Sequence, residues 1–396
     1  MTRLWDKGGA LDARVLAYTA GEDHALDERL VRFDVLASIA HAEMLAAAGL
    51  LQPAELEALR AALESIGAEH ARGEWHVSLE EEDGQTALES RLTARLGALG
   101  GRLHAGRSRN DQVLAALRLY LKDAGATLAA GTRAAAAALE DLARREGELP
   151  LPGYTHLQQA MPSTVALWAR GFAAELIDDA QGIEAARRRA DKNPLGSAAG
   201  YGTPHLPVDR EATRRRLGFA VTHEPVTAVQ LSRGKAEAQL LFELTLLTQD
   251  IGRLAADLLL FYTQEFAFVS LPESFTTGSS IMPQKRNPDV FELMRGRGAI
   301  AQAALLEVLA IQQKLTSGYQ RDLQLIKAPL FRAIDSTAAT LALLPPALAG
   351  VRFRPERIRL DPAIHAAAEA NRLVSEQGIP FREAYRRVAA GLKDES

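Results

Sequence analysis

The clearest hydrophobic pattern along the 396-residue chain lies in residues 235–266. Apolar residues recur there at alternating steps of four and three, and Thr248, Arg253 and Asp257 lie off the apolar face. This spacing is typical of a helix with a heptad seam, which would be about 48 Å long. The seam consists of Leu240, Leu244, Leu247, Ile251, Leu254, Leu258 and Phe261.

Four further segments carry an apolar stripe at helical spacing, and loops rich in Gly, Pro and Ser separate the five. They are residues 110 to about 146, 163 to about 190, 289 to about 315, and 330 to about 344. The low aromatic content of 6%, with many Ala and Leu, also favours helices over strands. The sequence therefore predicts an all-α fold with a long central helical bundle. Because seams of this length usually need partner helices, we also expect a homo-oligomer.

Three consecutive domains are predicted from this pattern. Residues 1–107 form mixed shorter helices, residues 108–350 form the central long-helix bundle, and residues 351–396 form a small helical domain. Loops are predicted where turn-forming residues cluster. The clearest loop signals are residues 150–153, 193–196 and 276–280.

Charge and residue usage exclude several classes of function. Lys and Arg number 46 against 50 Asp and Glu, a formal net charge of −4 that argues against a nucleic-acid partner. Without cysteine the chain has no disulfides, thiolate ligands or cysteine nucleophile. The histidines show no metal-ligand spacing and the glycines no nucleotide-binding pattern. No stretch matches a membrane span or a signal peptide, so we expect a cytoplasmic protein without metal, cofactor or membrane association.

Candidate chemistry begins in residues 106–112, just before a long helix. Ser108 or Asn110 can cap that helix, and Asp111 suits its first turn. One interpretation is a plain helix cap with exposed arginines. The other is a carboxylate site, because free helix amides, a hydroxyl, the Arg109 guanidinium and a carboxamide can together hold an anion.

A second candidate is His156, which lies beside Thr155 in a segment bounded by Pro152 and Pro162. A single histidine in a loop is usually structural or merely exposed. The stiff segment just before a helix also allows a role in acid–base chemistry.

The third candidate segment, residues 278–289, carries the strongest signal. Gly278 suits a mobile loop, while Asn287 as a cap and Pro288 at the first helical position indicate a helix start. Lys285 and Asn287 would then lie beside positive helix-end amides, a suitable place for a developing dianion. A flexible loop followed by a well-capped helix explains the same residues.

A fourth polar cluster, residues 319–327, is interpreted by itself as a solvated linker.

These segments also resemble a known family. Residues 278–288, GSSIMPQKRNP, are similar to the GSSxMPxKxNP signature of the fumarase/aspartase superfamily. Other segments resemble the argininosuccinate lyase family of that superfamily, which is close to delta-crystallin, in order and spacing. They are Ser108-Arg109-Asn110-Asp111-Gln112, Gly153-Tyr154-Thr155-His156-Leu157-Gln158, Arg321-Asp322-Leu323-Gln324, Leu4-Trp5 and Pro380-Phe381-Arg382-Glu383-Ala384.

The resemblance implies a carbon–nitrogen lyase of arginine biosynthesis that reversibly splits argininosuccinate into L-arginine and fumarate. It implies a homotetramer around a 20-helix core, with each site shared between subunits. Two alternatives stay open. One is another fumarate-releasing lyase of the superfamily that acts on a different N-succinyl amine, and the other is a non-catalytic, crystallin-like structural relative.

The resemblance also implies residue roles. Ser279 would remove a proton from the succinyl Cβ, and Lys285 and Asn287 would stabilise the resulting aci-carboxylate. His156, paired with Glu292, would assist protonation of the leaving group. The residues implied to bind substrate are Ser108, Arg109, Asn110, Thr155, Tyr319, Gln324 and Lys327, with Arg233 as a further candidate.

Two departures from the family pattern concern the amino-acid end of the substrate. Many relatives read Glu-Asp-Ile-His where this chain has Glu82-Asp83-Gly84-Gln85. The usual alanine–serine segment near residue 20 is replaced here by a segment that ends in Asp23.

Overall fold

The computed structural model describes residues 12–394, and their side chains as far as Leu392. Leu4 and Trp5, which contribute to the family resemblance, lie outside the described residues. Helices dominate the described chain, which confirms the all-α fold class. In chain order they are α1 (Ala13–Ala20), α2 (Asp23–Leu26), α3 (Val31–Ala47), α4 (Pro53–Ala71), α5 (Gly84–Leu96), α6 (Ala98–Arg102), α7 (Arg109–Glu146), α8 (Val165–Ala190), α9 (Arg210–Leu217), α10 (Val226–Leu231), α11 (Lys235–Tyr262), α12 (Asp289–Gln312), α13 (Lys327–Gly350), α14 (Ala366–Gln377) and α15 (Phe381–Asp394).

The five long helices predicted from the apolar stripes are α7, α8, α11, α12 and α13. Every residue of the heptad seam in α11 is buried, so the periodicity identified the covered face correctly. The helix ends at Tyr262 rather than at residue 266, because the Thr263 hydroxyl donates to the Leu260 carbonyl at 2.7 Å and accepts from the Phe266 amide. None of the helices within residues 12–394 has the length and apolar content that a membrane span requires.

Short strands pair two by two between the helices. They are β1 (Pro150–Thr155) with β2 (Gln158–Thr164), β3 (Lys192–Asn193) with β4 (Val221–Thr222), β5 (Val269–Ser270) with β8 (Arg352–Phe353), and β6 (Thr277–Gly278) with β7 (Arg286–Asn287). The loop predicted at residues 150–153 is therefore wrong, because β1 and β2 form an antiparallel hairpin. Proline signals misled the prediction, since both strands of a two-stranded ribbon are edge strands and tolerate proline.

The contacts within the chain divide it into two compact units. Unit 1 comprises Met1–Ala129, Gln181–Thr245 and Ala299–Thr337, and unit 2 comprises Ala130–Ala180, Leu246–Gly298 and Ala338–Ser396. The three consecutive domains expected from the sequence, residues 1–107, 108–350 and 351–396, stay a prediction.

An aliphatic core fixes α3, α4 and α5 in unit 1. Leu59, Leu63 and Ile66 of α4 are fully buried, and the Trp75 indole donates to the Ile66 carbonyl at 3.0 Å. Burial of such side chains is the main source of stability for this helical layer. The same core holds Leu88 and Leu92, which packs the middle of α5 against α3 and α4.

Unit 2 contains an aromatic cluster instead. The Trp168 ring lies 5.7 Å from those of Phe172 and Phe261 and 5.8 Å from that of Phe353, in tilted or edge-on arrangements. Its indole donates to Asp257 at 2.9 Å. The cluster joins α8 and α11 to strand β8.

Candidate active site

Ser108 caps α7, in agreement with the helix-cap interpretation of residues 106–112. Its Oγ accepts from the Asn110 amide at 3.3 Å, and its own amide donates to Asp111 Oδ1 at 2.8 Å. The second Asp111 oxygen accepts from the Gly196 and Ala198 amides at 2.9 and 2.8 Å. Burial raises the pKa of Asp111 to about 6, although these amides oppose the shift. The start of α7 is therefore rigidly held.

A cavity of about 600 Å³ lies beside the start of α7 in unit 1. It brings together several predicted site residues, namely Ser108, Arg109, Asn110, Arg233, Tyr319, Gln324 and Lys327. Its lining also contains residues that sequence analysis did not place in the site, namely Asp23, Asp83, Gln85, His104, Val113 and Arg321. The cavity is lined mainly by polar and charged side chains, so it suits a ligand that carries several charges.

Arg109 lies in an acidic environment. Its guanidinium donates to Asp83, and the nearest Glu82 oxygen is 3.7 Å away. Asp83 is itself fixed as the cap of α5, because it accepts from the amide and the hydroxyl of Thr86, both at 2.8 Å. Burial lowers the pKa of Arg109, but Asp83 and Glu82 outweigh burial and hold that pKa above its usual value. Arg109 therefore stays charged in the pocket.

Lys327 corrects the prediction that residues 319–327 form a solvated linker. Its side chain is 4% exposed, and its ammonium lies 2.5 Å from Asp27 and 2.9 Å from Asp23. Burial opposes its charge, but the two carboxylates outweigh burial and raise the pKa of Lys327. Burial also raises the pKa of Asp23 to about 7, with Lys327 opposing the shift. These partners are about 300 positions away along the chain, so local reading of the sequence could not identify them.

Arg321 and Gln324 close another side of the pocket. The Gln324 amide donates to the carbonyls of Thr19 and Ala20 at 2.9 and 3.2 Å. Arg321 donates to the Thr19 carbonyl at 2.8 Å and to the Gln324 side-chain oxygen at 3.2 Å. Both donors thus hold the end of α1 against the short 3₁₀ turn Arg321–Ile326.

Arg233 lies over the Tyr319 ring, with its guanidinium carbon 5.0 Å from the ring centroid. Such a stack favours the cation. Burial lowers the pKa of Arg233, and Tyr319, Glu237 and Asp23 oppose that shift. Arg233 Nη1 has no hydrogen-bond partner among the described residues.

The remaining predicted site residues lie in unit 2. One of them lies in a seven-residue loop whose two ends are joined by the short ladder of β6 and β7. Ser279 opens this loop and is half-buried, and its Oγ accepts from the Met282 amide at 3.2 Å and the Ile281 amide at 3.4 Å. The base of the loop is tied by a bond from Arg286 to Glu273 at 2.9 Å.

A second cavity, of about 530 Å³, brings together Lys285, Asn287 and Glu292, with Tyr262 and Arg295 among its other lining residues. Asn287 belongs to β7, and α12 begins at Asp289. The segment start predicted at residue 289 is therefore confirmed, whereas the predicted cap is wrong by one residue. The Pro288 carbonyl already accepts from Glu292, which places Pro288 in the capping position expected for Asn287.

His156 and Leu157 form the two-residue turn of the β1–β2 hairpin, and Thr155 ends β1. Both turn residues have positive φ, at 52° and 60°, a backbone region that favours glycine. His156 and Glu292 are exposed, and no hydrogen bond or ion pair joins them within residues 12–394. The structure of one chain thus displays His156 at a strained tip without the pairing expected for it.

Comparison with known proteins finds relatives that match nearly the whole chain. A family model described as Lyase matches residues 11–302. An argininosuccinate lyase from Sorangium cellulosum is 50% identical over 98% of this chain and 90% of its own length. One from Xylella fastidiosa is 44% identical over 98% of this chain and 87% of its own length. A solved fumarate lyase:delta crystallin from Brucella melitensis shares the fold, with a TM-score of 0.78 and 20% identity over 93% of this chain and 85% of that one.

Proposed function

The chain belongs to the argininosuccinate lyase family, and we propose that it catalyses the reversible β-elimination of argininosuccinate to L-arginine and fumarate. It is a lyase. The identity of 50% over 98% of the chain carries this proposal. The chemistry of the two cavities supports it, because both combine cations with hydrogen-bond donors, as a substrate with several carboxylates requires.

Ser279 is proposed as the base that removes the succinyl Cβ proton. A serine hydroxyl is a weak base unless its anionic form is stabilised. The two amides that donate to Ser279 Oγ supply such stabilisation, because hydrogen bonds to a charged oxygen favour its charged form. The exposed loop that carries Ser279 also allows closure over a bound substrate.

Lys285 and Asn287 are proposed to stabilise the aci-carboxylate that forms when the Cβ proton leaves. Their shared cavity lies at the start of α12, where the helix dipole adds positive potential. No acidic side chain forms an ion pair with the Lys285 ammonium within residues 12–394, so its charge is available for the intermediate.

His156 is proposed to protonate the leaving guanidine, assisted by Glu292. The unfavourable backbone conformation of the His156 turn supports a functional role, since such conformations cluster at functional sites. Because the two side chains do not meet within one chain, we assign their pairing to contacts between copies.

Ser108, Arg109, Asn110 and Thr155 are proposed to bind the succinyl carboxylates, and Tyr319, Gln324, Lys327 and Arg233 to complete the substrate pocket. In this scheme the active enzyme is a cytoplasmic homotetramer with sites shared between subunits. Large apolar side chains on the long helices support assembly, since Leu293 and Leu306 of α12 and Leu167 of α8 are 60%, 62% and 66% exposed.

The purified protein incubated with argininosuccinate tests this proposal. We expect fumarate, followed by its ultraviolet absorbance, and arginine, followed by amino-acid analysis, to appear in equal amounts. Absence of both products, together with fumarate release from another N-succinyl amine such as adenylosuccinate, would overturn the assignment. Absence of any lyase activity would favour the structural alternative.

A further inference from the structure

The unit 1 pocket contains one amide donor and one guanidinium donor that have no acceptor within residues 12–394. They are Arg233 Nη1 and Gln85 Nε2, on side chains that are 6% and 2% exposed. We propose that Gln85 and Arg233 together bind the α-carboxylate at the amino-acid end of the substrate and thereby select an α-amino acid there. This inference rests on the proposed function and deepens it.

The orphaned atoms identify the ligand group as an acceptor. A buried donor without a partner is unfavourable, and both atoms belong to side chains that line the same cavity. Gln85 lies in the first turn of α5, where the helix dipole also favours an anion. A carboxylate offers two oxygens, enough for one amide and one guanidinium donor at the same time.

The other cations of the pocket already have acceptors from the protein. Arg109 donates to Asp83, Lys327 lies between two aspartates, and Arg321 donates to the Thr19 carbonyl. Arg233 differs from them, because its Nη1 meets no acceptor among the described residues. An entering carboxylate would also favour the charged guanidinium against the burial that lowers the pKa of Arg233.

Asp23 indicates which carboxylate of the substrate this is. Its carboxylate lines the same pocket as Arg233 and lies 2.9 Å from the Lys327 ammonium. An α-amino acid carries an ammonium next to its carboxylate, and the pair of Asp23 and Arg233 offers complementary charges to both. The succinyl half of the substrate has carboxylates but no such ammonium.

Gln85 also gives a physical meaning to one departure from the family pattern. It stands where many relatives have histidine in Glu-Asp-Ile-His. A neutral amide keeps its donor at every pH, whereas a histidine changes its charge near neutrality. The hydrogen bond from Gln85 to the α-carboxylate should therefore not change with pH, whereas a bond from a histidine at this position would.

Calorimetric titration of the full enzyme with arginine and with agmatine, which is arginine without its α-carboxylate, tests the inference. We expect the wild type to prefer arginine. The near-isosteric Gln85→Met variant should lose about tenfold in arginine affinity, the effect of one hydrogen bond to a charged group, and keep its affinity for agmatine. In turnover, KM for argininosuccinate should rise while kcat stays nearly constant.

Gln230→Met is the matched control. Gln230 is another buried glutamine with unpartnered amide atoms, but it does not line the pocket, so its replacement should leave the ratio of arginine to agmatine affinity unchanged. If Gln85→Met proves unstable, Arg233→Lys serves as the second pocket variant. It keeps the positive charge and should still reduce the ratio of arginine to agmatine affinity.

Equal loss of arginine and agmatine affinity in Gln85→Met, or an unchanged ratio in both pocket variants, would overturn the inference. The proposed function fails separately, if the wild type does not cleave argininosuccinate. A wild type that cleaves argininosuccinate but binds arginine and agmatine equally would overturn the inference alone.

Discussion

The two units differ in how they hold their candidate site residues. In unit 1 the pocket is built from buried charges that already have partners, such as Lys327 between Asp23 and Asp27. In unit 2 the candidate catalytic groups lie on exposed turns, with Ser279 in a seven-residue loop and His156 at a hairpin tip. Under the proposed function, the difference predicts a division of labour in which a rigid pocket binds substrate and exposed segments carry out proton transfer.

Replacement of Ser279 should have the largest effect on activity. We expect Ser279→Ala to lower kcat by about 10³-fold or more, because it removes the proposed base, while substrate affinity and thermal stability stay near those of the wild type. Steady-state kinetics and a melting curve check this. Ser280→Ala, at the exposed neighbouring serine, is the control, and equal losses in both variants would contradict the assignment.

Replacement of Lys327 should instead act on stability. Lys327→Met leaves Asp23 and Asp27 buried without their cation, which should lower the free energy of unfolding by about 3–5 kcal/mol. Urea unfolding measures this loss. Arg332→Met is a matched control on the same helix, because the pair of Arg332 and Glu307 is exposed and contributes about 1 kcal/mol at most. Similar losses of unfolding free energy in the two variants would show that the buried contacts of Lys327 with Asp23 and Asp27 contribute no more than an exposed ion pair.

Asp23 provides a smaller effect that depends on pH. Its pKa is about 7 in the folded protein, above the ordinary value of 3.8, so the folded state holds the proton more tightly than the unfolded state. This contribution to stability is complete below about pH 4 and is lost as the pH rises to about 7. Asp23→Asn cannot ionise, so its stability relative to the wild type should improve across that window. Urea unfolding curves whose midpoints stay a constant distance apart at every pH would contradict the shift.

The fold was largely predictable because helical periodicity is a property of neighbouring residues. The seam of α11 and the cap formed by Ser108 and Asp111 could both be recognised from local spacing. The hairpin that carries His156 was missed, because its prolines are equally typical of loops.

The candidate site was harder to predict, since its partners come from distant parts of the sequence. Residues 319–327 form a locally polar stretch, and nothing nearby in the sequence shows that Lys327 is buried and paired with Asp23 and Asp27. Asp83 and Gln85 could have been suspected from their place at the start of α5. The roles assigned to Ser279, His156, Lys285 and Glu292 came from the family resemblance and stay predictions.

Under the proposed function, binding in unit 1 and proton transfer in unit 2 are contributed to one site by different copies of the chain. Refolding an equal mixture of two inactive variants, Ser279→Ala and Arg109→Met, tests it most directly. If the two regions come from different copies, some sites in the mixed assembly have both regions intact, so lyase activity should return well above that of either variant alone. Mixed assemblies, verified by tags on the two variants, that stay as inactive as their parents would contradict the claim.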